Sequence, residues 1–544
     1  MTDTSGHGFE EEPLKGEEAE EDVSKEKSCA GKLGLSHLTG WRTAIFLLSL
    51  FLCLAVVFAF SFILPCPVRP KYEPTWNSTI GGAATYDFLF VEDVSKDKVL
   101  DIFFMYKGSE ASRNTCMSED LSPPCLVLMA VDGTDGKTLW TRPLAPEFHW
   151  VECGVKGTVC LVAHANNLTA IDKCNGSIMW QQPLSTVKNA NLPLISVPDL
   201  NGDGVEDFAL LSYNPKVPSL TPIPTELLFF SGKSGEQIGS TVEIDTNGVF
   251  AHLQFYTSDE APYLLVLTDS GLYALSLQRL AARAKAGWES KLKKDKSWEK
   301  KANPHTGFIP LYLSDSLKGV QVVNVEPAAS LLIQTGSNVS LLHTDNLQIA
   351  WTTNTSNLLS VPTFGQFDKD RIVDIMMEED LGNETKRVMV LSGRTGEVLW
   401  EINMLSRTPN PHPASVLTLN SFSVFMLWGN SYSDQSMHSS FLLHPLHSQV
   451  LLERKNTAQN IVSFKATLLE RGRHACYLVL TGPDGHLHTE PSGMESVILT
   501  KRKIKDDVSE SEAFSVVPDE PVSQYTEDSV KEAFYRLRFS EALY

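Results

Sequence analysis

The residues best suited to chemistry are the oxygen-bearing side chains of one acidic loop, residues 199–207. Oxygen ligands fall at its first, third, fifth and ninth positions, with a backbone carbonyl available at the seventh: Asp199, Asn201, Asp203, Val205 and Asp207. Ca²⁺ prefers such hard oxygen ligands on a tight turn with glycine at the sixth position. The flanking segments LPLISVP and FALLSY are typical of strands, and a distal glutamate is missing, which excludes an EF-hand. The sequence predicts Ca²⁺ here; the alternative is an acidic turn that binds no metal.

Two degenerate copies of this loop occur elsewhere in the chain. The first replaces the glycine with Lys98 and the second replaces it with Arg371. Such a replacement is tolerable but strained, and a cation beside the cage can supply the charge of a metal. Both are therefore weaker Ca²⁺ candidates, with structural turns as the alternative. Their candidate ligands are Asp93, Ser95, Asp97 and Asp101 in the first copy, and Gln366, Asp368, Asp370 and Asp374 in the second.

Motifs of the common enzyme classes are missing from the sequence. It contains no GxSxG, HExxH, glycine-rich phosphate loop or dinucleotide fingerprint. The formal net charge of −20 argues against a nucleic-acid partner, which requires a basic footprint. The sequence therefore predicts a non-enzymatic protein.

One uncharged apolar segment, residues 43–64, is long enough to cross a membrane. At about 1.5 Å per residue it spans roughly 33 Å as a helix. A cleaved signal peptide is the alternative, but such segments are shorter and nearer the N-terminus. Basic residues are more frequent before the segment than just after it, which favours a cytosolic N-terminus. We predict a disordered acidic cytoplasmic tail over 1–42, a signal-anchor helix over 43–64 and a juxtamembrane linker over 65–85.

All N-glycosylation sequons follow this apolar segment. That placement fits a lumenal or extracellular C-terminal portion. The predicted glycosylation sites are Asn77, Asn167, Asn175, Asn338, Asn354 and Asn383.

The cysteines beyond the membrane segment number seven, which leaves at least one without an intrachain partner. Short spacings favour two disulfides that close hairpins, Cys116–Cys125 and Cys153–Cys160. A long-range Cys174–Cys476 bridge is a further possibility in an oxidising compartment. Cys66, just past the membrane segment, is the candidate for a disulfide between chains.

Residues 86–505 consist of short apolar runs separated by Gly, Asp, Asn and Pro, which predicts an all-β fold. One unit repeats: a strand, a turn with glycine, and a strand ending near Trp. It occurs as VDGTDGKTLW, IDKCNGSIMW and LSGRTGEVLW, with weaker copies FSGKSGEQIG and HTDNLQIAW. The spacing of about 40–50 residues is typical of four-stranded propeller blades. We predict a β-propeller of about eight blades, with seven possible, in which the Trp residues pack between sheets.

Two segments depart from the strand pattern. Residues 278–304 are basic and favour helix, which predicts a mobile basic insertion; it is either a solvated loop-helix or a docking patch for an acidic partner or an anionic glycan. Residues 506–544 are acidic, and the spacing of Val530, Phe534 and Leu537 predicts a short C-terminal helix in this tail.

The segment SVPDLNGDGVEDFALLSY resembles an FG-GAP calcium hairpin of integrin alpha propellers, and FGQFDKDRIVDIMM keeps part of that pattern. With the apolar segment followed by Pro65-Cys66-Pro67 and the ending SVKEAFYRLRF, the whole chain is similar to the family with sequence similarity 234, A-type branch. This resemblance implies a type II single-pass membrane protein without established enzymatic activity.

The predicted function is recognition or scaffolding by a membrane glycoprotein, at the plasma membrane rather than on internal membranes, with an unidentified protein partner. An accessory protein of the secretory pathway is the first alternative. A propeller enzyme is the second, because the TGxxxW units also resemble quinoprotein blades, although fold resemblance alone does not establish activity.

Overall fold

The computed structural model describes residues 40–63 and 75–540, apart from 110–111, 155–156, 184–189, 213–224, 246–247, 288–290, 325–328, 408–409, 432–436, 457–459, 470–471, 487–494 and 518–519. The chain divides into two compact units, residues 1–70 and 71–544. The predicted cytoplasmic tail, except its last three residues, lies outside the described residues. The first part of the predicted linker, residues 65–74 with Cys66, also lies outside them.

The first unit contains helix α1, Gly40–Ile63, which begins three residues before the predicted span and ends one residue before its end. Its window Gly40–Ala59 has a mean hydropathy of 2.3, and none of it is buried inside the protein. An apolar helix of this length could cross a membrane. Length and composition therefore agree with the predicted anchor.

The second unit is a β-propeller of eight blades, each an antiparallel sheet of four or five strands. Blade 1 contains β2 (Ala83–Glu92), β3 (Asp101–Gly108), β4 (Cys125–Val131) and β5 (Thr138–Leu144), with the short helix α2 (Arg113–Met117) before β4. Blade 2 contains β6 (Phe148–Glu152), β7 (Val159–His164), β8 (Asn167–Asp172) and β9 (Ile178–Pro183). Blade 3 contains β10 (Ala190–Val197), β11 (Asp207–Ser212), β12 (Thr225–Phe230) and β13 (Gln237–Ile244).

The next three blades repeat the four-stranded order. Blade 4 contains β14 (Val249–Tyr256), β15 (Pro262–Thr268), β16 (Gly271–Ser276) and β17 (Ile309–Leu313). Blade 5 contains β18 (Leu317–Val323), β19 (Ser330–Thr335), β20 (Asn338–His343) and β21 (Gln348–Asn354). Blade 6 contains β22 (Thr363–Gly365), β23 (Asp374–Gly382), β24 (Thr385–Leu391) and β25 (Val398–Leu405).

The last two blades recruit strands from distant parts of the sequence. Blade 7 contains β26 (Ala414–Leu417), β27 (Ser423–Asn430), β28 (His438–Leu443) and β29 (Val450–Asn456), followed in the sheet by β33 (Glu512–Ser515). Blade 8 contains β30 (Ile461–Thr467), β31 (Cys476–Thr481), β32 (Ser496–Lys503) and, as its outer strand, β1 (Trp76–Gly81). A 3₁₀ turn, Pro445–His447, precedes β29.

Strand β1 closes the ring, because it pairs with β32 from Trp76–Lys501 to Gly81–Ser496. The predicted start of the propeller at residue 86 is therefore wrong: it lies inside β2, and the fold begins at Trp76. The segment WNSTIG forms this first strand, and its buried and more exposed residues alternate as they do in an outer strand. Its partner lies more than 400 residues away, so local pattern could not reveal the pairing.

Tryptophans on the outer strands join successive blades, as the repeated unit predicted. The Trp140 indole N–H donates to the Lys173 carbonyl at 2.9 Å, and the Trp351 indole N–H donates to the Gly393 carbonyl at 2.9 Å. Equivalent bonds start from Trp76, Trp180 and Trp400 and each ends on a turn of the following blade. Each tryptophan thus buries its rings and satisfies its N–H at a blade interface.

The basic insertion of blade 4 forms two short helices, α3 (Leu277–Ala284) and α4 (Lys296–Glu299). Leu280, Leu292 and Trp298 are buried against the propeller, and the Trp298 indole donates to the Thr344 carbonyl of blade 5 at 3.0 Å. The predicted helical character is confirmed for these segments. The predicted mobility is wrong for the described part, because its apolar side chains are held in two blade interfaces.

The C-terminal segment belongs to the fold rather than to a free tail. Helix α5 (Ile504–Glu510) and helix α6 (Gln524–Arg536) flank β33, which covers the outer edge of blade 7. Val530 and Phe534 are buried, as their helical spacing predicted. Buried Asp507 accepts from Arg502 at 2.9 Å and lies 3.1 Å from Arg454, which fastens α5 across blades 7 and 8.

Candidate cation-binding loops on one face of the propeller

The three acidic loops occupy corresponding places in the propeller. Residues 93–101, 199–207 and 366–374 each connect the first strand of a blade to its second strand, in blades 1, 3 and 6. In an antiparallel blade, these connections share one end with the turns between the third and fourth strands. We call this end the loop face. The strand–loop–strand context predicted for residues 199–207 is confirmed.

All three loops share a left-handed residue at the sixth position. The φ angle is +87° at Gly204, +76° at Lys98 and +66° at Arg371. The two non-glycine residues therefore adopt the strained backbone that the sequence comparison with Gly204 suggested. This backbone brings the neighbouring N–H groups toward the side chains of each loop.

The aspartate at the ninth position is buried in every loop and holds the loop closed. Its Oδ2 atom accepts backbone N–H groups from the second or third loop residue: Leu200 at 2.6 Å for Asp207, Phe367 at 2.7 Å for Asp374, and Ser95 at 2.8 Å for Asp101. A carboxylate with several N–H donors is stabilised in its charged form, although burial opposes this. These aspartates are therefore structural elements of the loop as well as candidate ligands.

The loops of blades 3 and 6 are also fastened to the glycine turns of their own blades. The Gly232 N–H donates to Asp207 Oδ1 and the Gly393 N–H donates to Asp374 Oδ1, both at 3.1 Å. A Cβ atom on Gly232 would lie 2.0 Å from the Glu206 carbonyl oxygen, so this close approach requires glycine. The repeated turn of the propeller thus supports the acidic loop.

Most oxygens of the loop 199–207 already accept hydrogen bonds from the protein. Asp199 accepts the N–H groups of Gly202 at 2.6 Å and Gly204 at 3.2 Å. Asp203 accepts the Ser231 hydroxyl at 2.8 Å. The ammonium group of Lys291, from the basic insertion, donates to the Asp199 carbonyl at 2.8 Å. The loop has the oxygen set and backbone shape for a hard cation, with a lysine beside its first position.

The loop 366–374 brings its carboxylates together most closely. Asp368, Asp370 and Asp374 each offer an oxygen within 4.8 Å of the others, and no other group of this kind occurs among the described residues. The weaker candidate of the sequence therefore has the more convergent carboxylates. The backbone carbonyl of Gln366 accepts the Ser423 N–H at 2.8 Å.

A cation does accompany this loop, but it is not the residue suggested by the sequence. Arg394 lies in the glycine turn of blade 6, and its Nε atom donates to Asp370 Oδ2 at 2.8 Å. The corresponding Lys233 of blade 3 donates to the Asp203 carbonyl at 3.4 Å. The signal was visible in the repeats SGRTG and SGKSG, where a basic residue follows the first glycine.

The first loop, 93–101, has no basic residue at this turn position, which is Thr134. Asp93 accepts the Lys98 N–H at 3.1 Å, and Asp97 accepts the Val99 N–H at 2.8 Å. One oxygen of Asp93 and one of Asp101 are buried without a hydrogen-bond partner among the described residues. Such oxygens are costly to leave unpaired, so this loop has unsatisfied acceptors for a cation or water.

Burial dominates the electrostatics of the ninth-position aspartates. It raises the pKa of Asp101 and that of Asp374 to about 6, against the lowering effect of their backbone N–H donors. Burial also raises the pKa of Asp207. In Asp370 burial is outweighed by the hydrogen bond from Arg394, which holds the pKa of that carboxyl below its ordinary value. Cation binding requires the charged carboxylates. Near pH 6, protons therefore compete with a cation for these aspartates.

The predicted modification sites fall at both ends of the propeller. Asn167, Asn338, Asn354 and Asn383 lie at the end opposite the loop face, in blades 2, 5 and 6. Asn77 and Asn175 lie at the end that carries the loop face. Asn77, Asn175, Asn354 and Asn383 are exposed, and the other two are half-buried.

The described residues form the two predicted disulfides, Cys116–Cys125 and Cys153–Cys160. The possible Cys174–Cys476 bridge does not form: Cys174 is exposed in a turn of blade 2, whereas Cys476 is buried in the interface between blades 8 and 1. The two cysteines belong to different blades, which a sequence separation cannot reveal.

The family comparison agrees with this architecture. The family model of the FAM234A/B beta-propeller matches residues 76–540. The chain is 33% identical to Protein FAM234A of Rattus norvegicus over 93% of this chain and 92% of that protein. It is 26% identical to Protein FAM234B of Mus musculus over 89% of this chain and 80% of that protein. The solved europium-containing methanol dehydrogenase covers 78% of this chain and 92% of its own, with 8% identity and a TM-score of 0.45. The chain belongs to the FAM234A/B β-propeller family.

Proposed function

We propose that this protein is a non-enzymatic, single-pass type II membrane glycoprotein whose propeller presents a rigid recognition surface outside the cell or in the secretory lumen. The observation that carries the proposal is the combination of one exposed apolar helix, Gly40–Ile63, with a closed propeller that follows it. All sequons occur after that helix. Both disulfides also belong to the propeller, and disulfides persist in oxidising compartments.

A topology experiment tests this proposal. The full-length chain carries one epitope tag at each terminus and is expressed in cultured cells. We expect the C-terminal tag to be stained on intact cells, the N-terminal tag to be stained only after permeabilisation, and peptide N-glycosidase to increase the gel mobility. Accessibility of the N-terminal tag on intact cells, or no mobility change, contradicts the proposed orientation.

Surface biotinylation separates recognition at the plasma membrane from the secretory-pathway alternative. Biotinylated protein with glycans resistant to endoglycosidase H supports the plasma membrane. Retention with fully sensitive glycans supports an accessory role in the endoplasmic reticulum instead.

We further propose that Ca²⁺ is a ligand of the loop face. In the main loop, Asp199, Asn201, Asp203, the Val205 carbonyl and Asp207 would hold the ion; the convergent Asp368, Asp370 and Asp374 form a second candidate. Support comes from the hard-oxygen donor set, the left-handed sixth residue shared by the loops, and the anchoring of the loops of blades 3 and 6 to blade turns. The ion would supply positive charge that rigidifies these loops.

A further inference from the structure

The insertion between β16 and β17 carries a group of exposed lysines. We call this group the basic ridge and define it by one lysine on α4 and five in the segments beside α3 and α4: Lys285, Lys293, Lys294, Lys296, Lys300 and Lys301. The whole protein has a net charge of −20, so this local excess of positive charge does not reflect a basic composition. The ridge is instead a local region of positive charge on a protein whose net charge is negative.

The ridge is fixed to the propeller rather than carried on a free loop. Trp298 lies between its lysines, is 1% exposed and packs on Phe255 with ring centroids 5.6 Å apart. The Asp295 carboxylate accepts the N–H groups of Ser297 at 2.7 Å and Trp298 at 3.2 Å, which begins α4. The lysine backbones are therefore held in place, and the conformational entropy lost on binding a ligand is reduced.

The acidic residues of the insertion that the structure describes, Asp295 and Glu299, are already engaged. Asp295 is 4% exposed and serves as the N-cap of α4, and Glu299 pairs with Arg279 at 3.0 Å. Lys293 pairs with Glu260, but both side chains remain largely exposed, so solvent screens that pair. No described carboxylate forms an ion pair with the other five lysines of the ridge. The positive charge of the ridge is thus available to a ligand.

The residue types indicate the class of ligand. Both arginines of the insertion are engaged within the protein, Arg279 with Glu299 and Arg283 with the Glu243 carbonyl at 2.7 Å. The ridge therefore offers lysines, which act as point charges, rather than the planar forks that bind peptide carboxylates in a bidentate manner. Exposed point charges along one segment suit a flexible polyanion whose charge repeats along its length.

We propose that the basic ridge binds a linear sulfated polysaccharide. The proposal adds a ligand class to the recognition function proposed above, and it needs the propeller to face the compartment in which such chains occur. Binding itself is a property of the folded propeller, so it can be measured with purified protein whatever the orientation in the membrane proves to be.

The test compares three full-length proteins in neutral detergent micelles on immobilised heparin. The ridge variant is Lys293→Gln, Lys294→Gln, Lys296→Gln and Lys300→Gln. The control variant removes the same charge from exposed basic residues outside the insertion and outside the acidic loops: Lys137→Gln, Lys318→Gln, Lys455→Gln and Arg536→Gln. The substituted side chains are exposed, so we expect folding to be unchanged. Thermal melts of all three proteins check this.

We expect the wild type and the control to be retained at about 0.15 M NaCl and to elute at higher salt. The ridge variant should elute earlier, with a dissociation constant for heparin about tenfold higher in equilibrium titration. Wild-type protein that flows through, or equal shifts in both variants, overturns the proposal. Stronger retention on immobilised poly-L-glutamate than on heparin also overturns it, since the ligand would then be an acidic polypeptide.

Discussion

Lys291 and Asp199 are joined by two contacts at the loop face. The lysine Nζ atom donates to the Asp199 carbonyl at 2.8 Å and lies 3.7 Å from its Oδ2 atom. Asp199 is the first residue of the main acidic loop, so the ammonium group and a bound Ca²⁺ ion would compete for the same negative charge. The basic insertion of blade 4 is thereby linked to the acidic loop of blade 3.

Removal of this lysine should strengthen Ca²⁺ binding. We expect Lys291→Met to lower the dissociation constant for Ca²⁺ by about twofold to fivefold, because a partly exposed ion pair contributes modestly. Isothermal titration calorimetry measures the change. Lys293→Met is the matched control, since Lys293 pairs with Glu260 instead. Equal affinities in the two variants contradict the proposed competition.

The buried aspartates predict the pH dependence of stability in a metal chelator. The folded-state pKa of Asp374 is about 6, above the ordinary value of 3.8. The folded protein thus binds a proton more tightly than the unfolded chain does, and this stabilisation is lost as the pH rises through about 6. We expect the stabilising contribution of this group, and with it the melting temperature, to fall as the pH rises from about 4 to about 6.

Asp374→Asn checks that assignment, because an uncharged amide removes the titration while preserving an acceptor for the Phe367 N–H. The difference in melting temperature between wild type and variant should depend on pH over that range. A difference that stays constant would mean that another group is responsible, and Asp101, whose pKa is also about 6, is the first to examine by Asp101→Asn.

The tryptophan contacts between blades should contribute strongly to stability. Trp351 is buried and donates to the Gly393 carbonyl of the next blade. Trp351→Ala should lower the free energy of unfolding by about 3–5 kcal/mol, because it opens a cavity and leaves a carbonyl unpaired. Ile349→Ala on the same strand is the control, since that side chain is 50% exposed. Similar losses in the two variants, measured by chemical denaturation, contradict the role given to Trp351.

The disulfide Cys116–Cys125 joins two cysteines that are nine positions apart in the sequence and so closes a short loop. Restriction of the unfolded chain by such a loop predicts a stabilisation of about 3 kcal/mol. The double variant Cys116→Ser and Cys125→Ser should therefore unfold at a lower temperature than the wild type. Addition of a reductant should lower the melting temperature of the wild type, and the variant should change less. If the variant and wild type melt together, the bond does not stabilise the fold.

Local sequence patterns revealed the repeating parts of this fold. The glycine turns and their tryptophans indicated blades, and oxygen spacing located all three acidic loops on equivalent connections. The two short-range disulfides followed from spacing alone. These features depend on residues within a few positions of one another, which a sequence displays directly.

Features that join distant residues were missed or only partly predicted. The pairing of β1 with β32, the addition of β33 to blade 7 and the contact of Lys291 with Asp199 all bring together segments from different parts of the chain. The sequence does not show how closely Asp368, Asp370 and Asp374 converge, because Arg371 adopts the left-handed backbone that the pattern assigns to glycine.

The central claim about the site, that the loop face binds Ca²⁺, is tested most directly by Ca²⁺ titration of the purified chain, with calorimetry and a thermal melt performed on the same samples. The comparison is between wild type, Asp203→Ala in the main loop and Asp370→Ala in the third loop. We predict heat of binding and a higher melting temperature for the wild type, with loss of one binding component in Asp203→Ala. No heat and no shift in the wild type would contradict the claim and leave the three acidic loops as structural turns.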